Sequence, residues 1–134
     1  MIDNLLIFSG RLLLGLYFVV PGALKVAGFD GMAAYMAQHG MFAVPFFLVL
    51  TIAIQVAGGV CLFIGYRVRI VAFLLAGLVL VISLVMHDFW NVYEGGDQGH
   101  EMQNFIKNMG IMAGLLLIAG STATEPLKRL FRTA

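Results

Sequence analysis

At 134 residues the chain has single-domain length, and we read it as one domain over 1–134. Its 61% hydrophobic and 11% charged residues exclude an ordinary soluble domain, where about 45–50% and 25% are usual. A net charge of +1 argues against a nucleic-acid partner, and a lone Cys61 in an apolar run excludes an internal disulfide framework or a CxxC redox pair. That cysteine reads most simply as a small buried hydrophobe.

Runs of roughly 20 apolar residues are each long enough to cross a hydrocarbon core of about 30 Å as helix, so an integral membrane protein of all-α class is expected, with the lipid bilayer as its first partner. The first span covers about 5–26. It has no basic n-region and no small-residue cleavage pattern, so it reads as a retained helix rather than a signal peptide. Arg11 lies inside it, about 6 Å deep at 1.5 Å per residue. Pro21-Gly22 interrupts its far half, where the missing amide favours a kink, and Lys25 closes it.

The segment 27–43 is too short and polar to span. Phe29, Met32, Met36 and Met41 line one side of a short interfacial helix bracketed by Gly31 and Gly40. The second span, 44–65, has Pro45 in its first turn and Gln55 near its middle. The connector Tyr66-Arg67-Val68-Arg69 is tight, which makes the second and third spans antiparallel neighbours. The third span, 70–90, ends in HDFWN (87–91). An acidic, glycine-rich loop follows, and QNFIKN (103–108) opens the fourth span, 103–120. The tail EPLKRLFRTA is basic with apolar spacing and reads as lying on the membrane surface.

The whole is an antiparallel four-helix bundle. Because helices in lipid associate through close packing rather than hydrophobic drive, Gly58, Gly110 and Gly114, the last two forming a GxxxG, are the expected points of closest approach. GVCLFIG (59–65) and GLLLIAG (114–120) echo each other at the same depth, which suggests a duplicated hairpin. Basic residues then set the orientation. One side gathers Arg67, Arg69, Lys128, Arg129 and Arg132, while the other has Lys25 and Lys107 among Asp30, Asp88, Glu94, Asp97 and Glu101. The positive-inside rule places both termini in the cytoplasm, with HDFWN and QNFIKN at the outer face.

An ionisable group in hydrocarbon must be paired, solvated or able to snorkel, and this ranks the candidate ligand-binding residues. Arg11 either snorkels to the interface or points inward as a substrate contact. Gln55, near mid-membrane, needs a partner, whether another helix or a ligand. On a continuous helix His87 and Asn91 share a face with Asp88 beside it, and Asp88 is the natural ion-pair partner of Lys107. Gln103 and Lys107 share one face of the fourth span, Asn104 and Asn108 the adjacent one. These side chains form either a satisfied interfacial network or a pocket for a polar head group. Trp90 and Tyr93 read as interfacial anchors. His87, Asp88, His100, Glu101 and His39 are ligand types at no standard metal spacing, so no metal is expected.

RLLLGLYFVVPGALKV, GGVCLFIGYRVR, MHDFWN and NFIKNMGIMAGLLL, in this order and spacing, resemble the DoxX family of small four-helix bacterial inner-membrane proteins along nearly the whole chain. The resemblance implies an inner-membrane location and a link, in some members, to thiosulfate oxidation with quinone as acceptor, or to quinone and thiol stress. By position, the recurrent polar residues of the family correspond to Arg11, Lys25, His87, Asn104 and Lys107. Many members have an acid in the second span where this chain has Gln55, which removes a proton-accepting group. No flavin, haem or iron–sulfur signature is present, so no covalently bound cofactor is expected and any electron transfer would run through quinone or a soluble redox partner. The leading expectation is a component of a quinone-linked redox or detoxification system, an oxidoreductase subunit if catalytic, that binds a quinone-like or other small amphipathic molecule. The alternatives are a non-enzymatic subunit or scaffold that binds lipid or a partner, and a small-molecule transporter acting as a homodimer.

Overall fold

A computed structural model describes residues 1–121, and the basic tail read as lying on the membrane lies outside the described residues. The described chain is helical: α1 (Ile2–Ala27), α2 (Phe29–Gln38), α3 (Val44–Ile64), α4 (Val68–Met86) and α5 (Gln98–Ser121). Four of these helices, all but α2, are long and apolar enough to cross a membrane. Side chains such as Leu13, Leu24, Phe46, Phe73 and Leu117 are exposed on the outside of the bundle, where only lipid makes such exposure favourable. The protein is an integral membrane helical bundle.

Two glycines end helices in the same way. Gly40, at φ +74°, and Gly65, at φ +79°, take the left-handed conformation that closes a helix without a Cβ penalty. Around Gly40, Met41 N–H donates to the Met36 carbonyl and Gly40 N–H to that of Ala37. Around Gly65, Tyr66 N–H donates to Cys61 and Gly65 N–H to Leu62, so the last carbonyls of α2 and α3 are satisfied before the chain turns.

The bundle is built as two tight pairs, α1 on α3 and α4 on α5, joined chiefly through α3 and α4. The first pair closes where glycine faces glycine. A Cβ on Gly15 would fall 2.8 Å from the Gly59 carbonyl oxygen, and a Cβ on Gly59 would fall 2.7 Å from that of Gly15. Gly58 receives the Leu75 side chain of α4. At Gly110 and Gly114, by contrast, an added Cβ would meet nothing within 4 Å. The expectation that this GxxxG packs inside the bundle is therefore corrected, and Gly59 and Gly114 have opposite surroundings. Local sequence marks a glycine as small but cannot say what it faces.

The second half of the bundle carries α2. Met36 is buried with Leu48 and Met86, and Phe29, Met32 and Met41 pack against them, so the short helix lies with its apolar face on the ends of α3 and α4. It begins at Phe29, which puts Gly31 in its first turn rather than at its boundary. Two other boundaries move. α4 stops at Met86, four residues before the expected end, because His87 to Asn91 turn: Phe89 N–H donates to the His87 carbonyl and Asn91 N–H to that of Asp88. α5 starts at Gln98, five residues early, with the Asp97 carboxylate accepting from the His100 amide at 3.1 Å as an N-cap. Hydropathy marks only the apolar part of α5, whereas its first turn is the polar Gln98-Gly99-His100-Glu101.

Candidate functional site

A cavity of about 500 Å³ occupies the half of the bundle that carries α2. That size is typical of small-molecule sites. Most of its wall is apolar, from Phe18 and Pro21 through Leu48 and Ile54 to Leu78, Val79 and Ile82, with Met32, Met36, Met41 and Met86 towards the α2 end. Leu50, Leu74 and Val81 line it and are also 42%, 59% and 56% exposed, so the cavity reaches the lipid-facing surface between α3 and α4. It forms there because the two helix pairs meet less closely than the helices within each pair.

The polar wall comes from α1, α3 and α5. Spacing of four residues puts Tyr17, Pro21 and Lys25 on one side of α1, and all three line the cavity. The Tyr17 hydroxyl donates to Asn108 Oδ1 at 3.1 Å, bridging the first helix to the last. Lys107 Nζ donates to Asn104 Oδ1 at 3.0 Å, and Asn104, Lys107 and Asn108 all face the space. Gln55 is 6% exposed, lines the cavity, and its Oε1 has no hydrogen-bond partner. A buried acceptor in that state costs about 1–3 kcal/mol. This is the group in the wall that a ligand would satisfy.

A polar network closes the α2 end. His87 Nδ1 donates to Glu101 Oε2 at 2.6 Å, and the Tyr35 hydroxyl donates to Glu101 Oε1 at 2.8 Å. A carboxylate only accepts, so Nδ1 carries the hydrogen and His87 keeps Nε2 free. His87 and Tyr35 also line the cavity, so this pair can hold or pass a proton at its edge. Next to it His39, whose side chain is 2% exposed, donates from Nδ1 to Asp88 Oδ1 at 2.9 Å. Asn91 Nδ2 and the Tyr93 hydroxyl both donate to Asp88 Oδ2, at 2.7 and 2.5 Å. Burial alone pushes the Asp88 carboxyl up, but the bonds from Tyr93, Asn91 and His39 together outweigh it and hold it below its ordinary 3.8. Burial and then the bond to Glu101 push the Tyr35 hydroxyl well above its usual range, and the bond to Asp88 raises Tyr93.

Of the residues singled out from sequence, Lys25, Gln55, His87, Asn104, Lys107 and Asn108 line one cavity. The others do not. Asp88 does not pair with Lys107, since it is taken by His39, Asn91 and Tyr93 while Lys107 turns to Asn104. Asn91 joins Asp88 across a turn rather than sharing a helix face with His87, because α4 has already ended. Gln103 is exposed and does not line this cavity. Arg11 sits at the other end of the bundle, about 15 Å from Gln55 along α3. A Cβ on Gly65 would fall 2.7 Å from its Nη1, which places the guanidinium against the carbonyl end of α3, where the helix dipole favours a cation.

Among polar residues, Tyr17, Tyr35, Thr51, His39 and Glu101 reach the site or its rim without having been proposed as ligand contacts. Tyr17 was findable from its four-residue spacing to Pro21 and Lys25. His39 and Tyr35 were not, since their acceptors lie 49 and 66 residues away.

These features define a class: a four-span membrane bundle with an amphipathic cavity in one half. Residues 6–88 match the DoxX family, and the chain belongs to that family. The match ends at Asp88, so α5 with its lysine and asparagines lies beyond it. Among relatives, the inner membrane protein YphA of Escherichia coli K12 is 29% identical over 114 residues, covering 85% of this chain and 81% of that one. The inner membrane protein YqjF of the same organism is 30% identical over 119 residues, covering 88% and 85%. A weaker likeness, 22% over 120 residues, joins 90% of this chain to 31% of the ER-derived vesicles protein ERV29 of Saccharomyces cerevisiae. No solved structure matches the chain.

Proposed function

We propose that this protein binds a quinone-like amphipathic molecule in the bundle cavity, as the inner-membrane component of a quinone-linked redox or detoxification system. The observation that carries the reading is the unpartnered Gln55 oxygen in an otherwise apolar cavity that reaches lipid. An oxygen-bearing ring fits such a space. Its tail leaves between α3 and α4 past Leu50, Leu74 and Val81, one ring oxygen meets Gln55, and the other meets donors from Lys107 and Asn108. His87, held by Glu101 and with Nε2 free, is the proton donor or acceptor for the reduced and oxidised forms. Both termini lie in the cytoplasm, which puts the cavity in the outer half of the membrane.

Equilibrium binding of menadione to the purified protein in lipid nanodiscs, read by quenching of Trp90 against empty nanodiscs, tests the reading. Saturable binding weakened by Lys107→Ala or His87→Ala, together with heightened sensitivity of the host cell to menadione, is expected. Absence of saturable binding, with both variants leaving sensitivity unchanged, would refute it. A reporter that fluoresces only in the cytoplasm, fused to the C-terminus, is expected to be bright, and a dark fusion reverses the orientation.

A further inference from the structure

Charge in the cavity is unbalanced. Lys25 and Lys107 both line it, and among the described residues no lysine or arginine lies within ion-pair distance of a carboxylate. The acids beside it are hydrogen-bonded to histidines, Asp88 to His39 and Glu101 to His87. Those histidines occupy the two acids that stand beside the cavity, and Tyr35 also donates to Glu101 while Asn91 and Tyr93 donate to Asp88. Lys107 donates to the neutral Asn104 oxygen, and Asn108 and Tyr17 next to it are neutral as well.

A cation at a membrane cavity is costly without a counter-charge, and here the two carboxylates beside the cavity, Asp88 and Glu101, are engaged by other groups. The second sign of a ligand is independent of the lysines: the 6%-exposed Gln55 lines the same space with a polar atom unpartnered. A carboxamide can present its nitrogen in place of its oxygen by a half-turn, so it serves a ligand acceptor as readily as a donor.

We propose that the polar end of this cavity is an anion site, at which Lys25 and Lys107 hold the ionised head of an amphipathic ligand while its apolar body fills the space lined by Leu48, Ile54, Leu78 and Ile82. The inference rests on the binding cavity proposed above and narrows its ligand to the acidic members of the class: a hydroxylated quinone in its ionised form, or an amphipath with a carboxylate head. Charge-assisted hydrogen bonds from two ammonium groups are the stronger kind, and a neutral ligand of the same shape forgoes them.

The test compares matched probes in calorimetric titrations of the full chain in zwitterionic lipid nanodiscs at neutral pH. Lawsone, ionised there, and menadione, neutral, differ by a hydroxyl against a methyl on the same naphthoquinone. Laurate and lauryl alcohol form the corresponding pair without a quinone ring. The expected result is lawsone binding at least about tenfold more tightly than menadione, about 1.4 kcal/mol. Lys25→Gln and Lys107→Gln together are expected to erase the difference, lowering lawsone affinity by at least about tenfold more than menadione affinity. The wild-type comparison needs no variant to fold.

Equal affinity for lawsone and menadione overturns the anion site and leaves the quinone reading standing. A preference for lawsone that survives both lysine substitutions overturns its assignment to these residues. Binding of laurate but of neither naphthoquinone nor the alcohol, lost on substitution of the lysines, supports the anion site and sinks the quinone reading. Failure of all four probes to bind overturns both.

Discussion

Replacing Gly59 by alanine tests how the bundle is held. The new Cβ would lie 2.7 Å from the Gly15 carbonyl oxygen, 2.7 Å from Val19 Cγ2 and 3.1 Å from the Val19 nitrogen, where ordinary contact begins near 3.4 Å. Two of these three obstacles are backbone, so α1 must retreat by about 0.7 Å against a close-packed neighbour. Alanine brings a helix-propensity gain of about 0.8–1 kcal/mol, but overpacking costs about 1–3 kcal/mol, and an obstruction by backbone belongs at the upper end. The net expectation is destabilisation by about 1–2 kcal/mol, read as a lower midpoint in reversible unfolding by SDS from mixed micelles. Gly114→Ala is the control. It adds the same methyl where nothing lies within 4 Å, so it is expected to be neutral or to stabilise by up to about 1 kcal/mol. A Gly59→Ala protein as stable as wild type, or a Gly114→Ala protein that is the weaker of the two, would refute the reasoning.

Two further outcomes are expected. Gln55→Leu removes a buried, unpartnered acceptor, so the ligand-free protein should gain about 1–3 kcal/mol while menadione binding is lost; a fall in ligand-free stability would show that Gln55 already has a partner. Asp88 has a folded pKa below its ordinary 3.8, so its stabilisation is fully present above that value and fades as pH drops through the lower folded one. Tyr35 and Tyr93 are raised, so their contributions are fully present below pH 10.0 and are lost as pH rises from there through the higher folded values. Denaturation midpoints followed downward from about pH 6 to about pH 3 should therefore fall for the wild type, with a shallower fall for Asp88→Asn; identical slopes would remove Asp88 from the account.

Read together, the outer network and the cavity explain one another. Met32, Tyr35 and Met36 of α2 line the cavity, while Tyr35, Gln38 and His39 of the same helix bond to Glu101, the Glu94 carbonyl and Asp88. The helix is thus a wall of the site held in place by groups that stay out of it. This is why HDFWN, conspicuous as polar residues between apolar runs, divides its work. His87 turns to the cavity, and Asp88 and Asn91 secure the helix that covers it.

Much was legible in one dimension, because lipid imposes a one-dimensional rule: a span must be apolar for about 20 residues, and its backbone must bond within itself. Spans, the interfacial helix with its methionine face, the tight connector before α4 and the family all follow from that rule and from residue order. Six polar residues of the cavity were likewise visible, since polarity next to hydrocarbon stands out at any position. What only the tertiary structure decided is who faces whom. Asp88 and Lys107 are a sensible pair by charge and depth, yet His39, arriving on α2, reaches Asp88 instead. Arg11 and Gln55 both look like buried polar groups awaiting a partner, and each keeps one unpartnered atom, yet Arg11 lies at the carbonyl end of α3 and Gln55 lines a cavity. Gly59 and Gly114 are equally small, yet one touches backbone and the other touches nothing within 4 Å. Helical periodicity sets the depth and face of each side chain, but the neighbour on that face comes from a segment tens of residues away and is known only when the helices have packed.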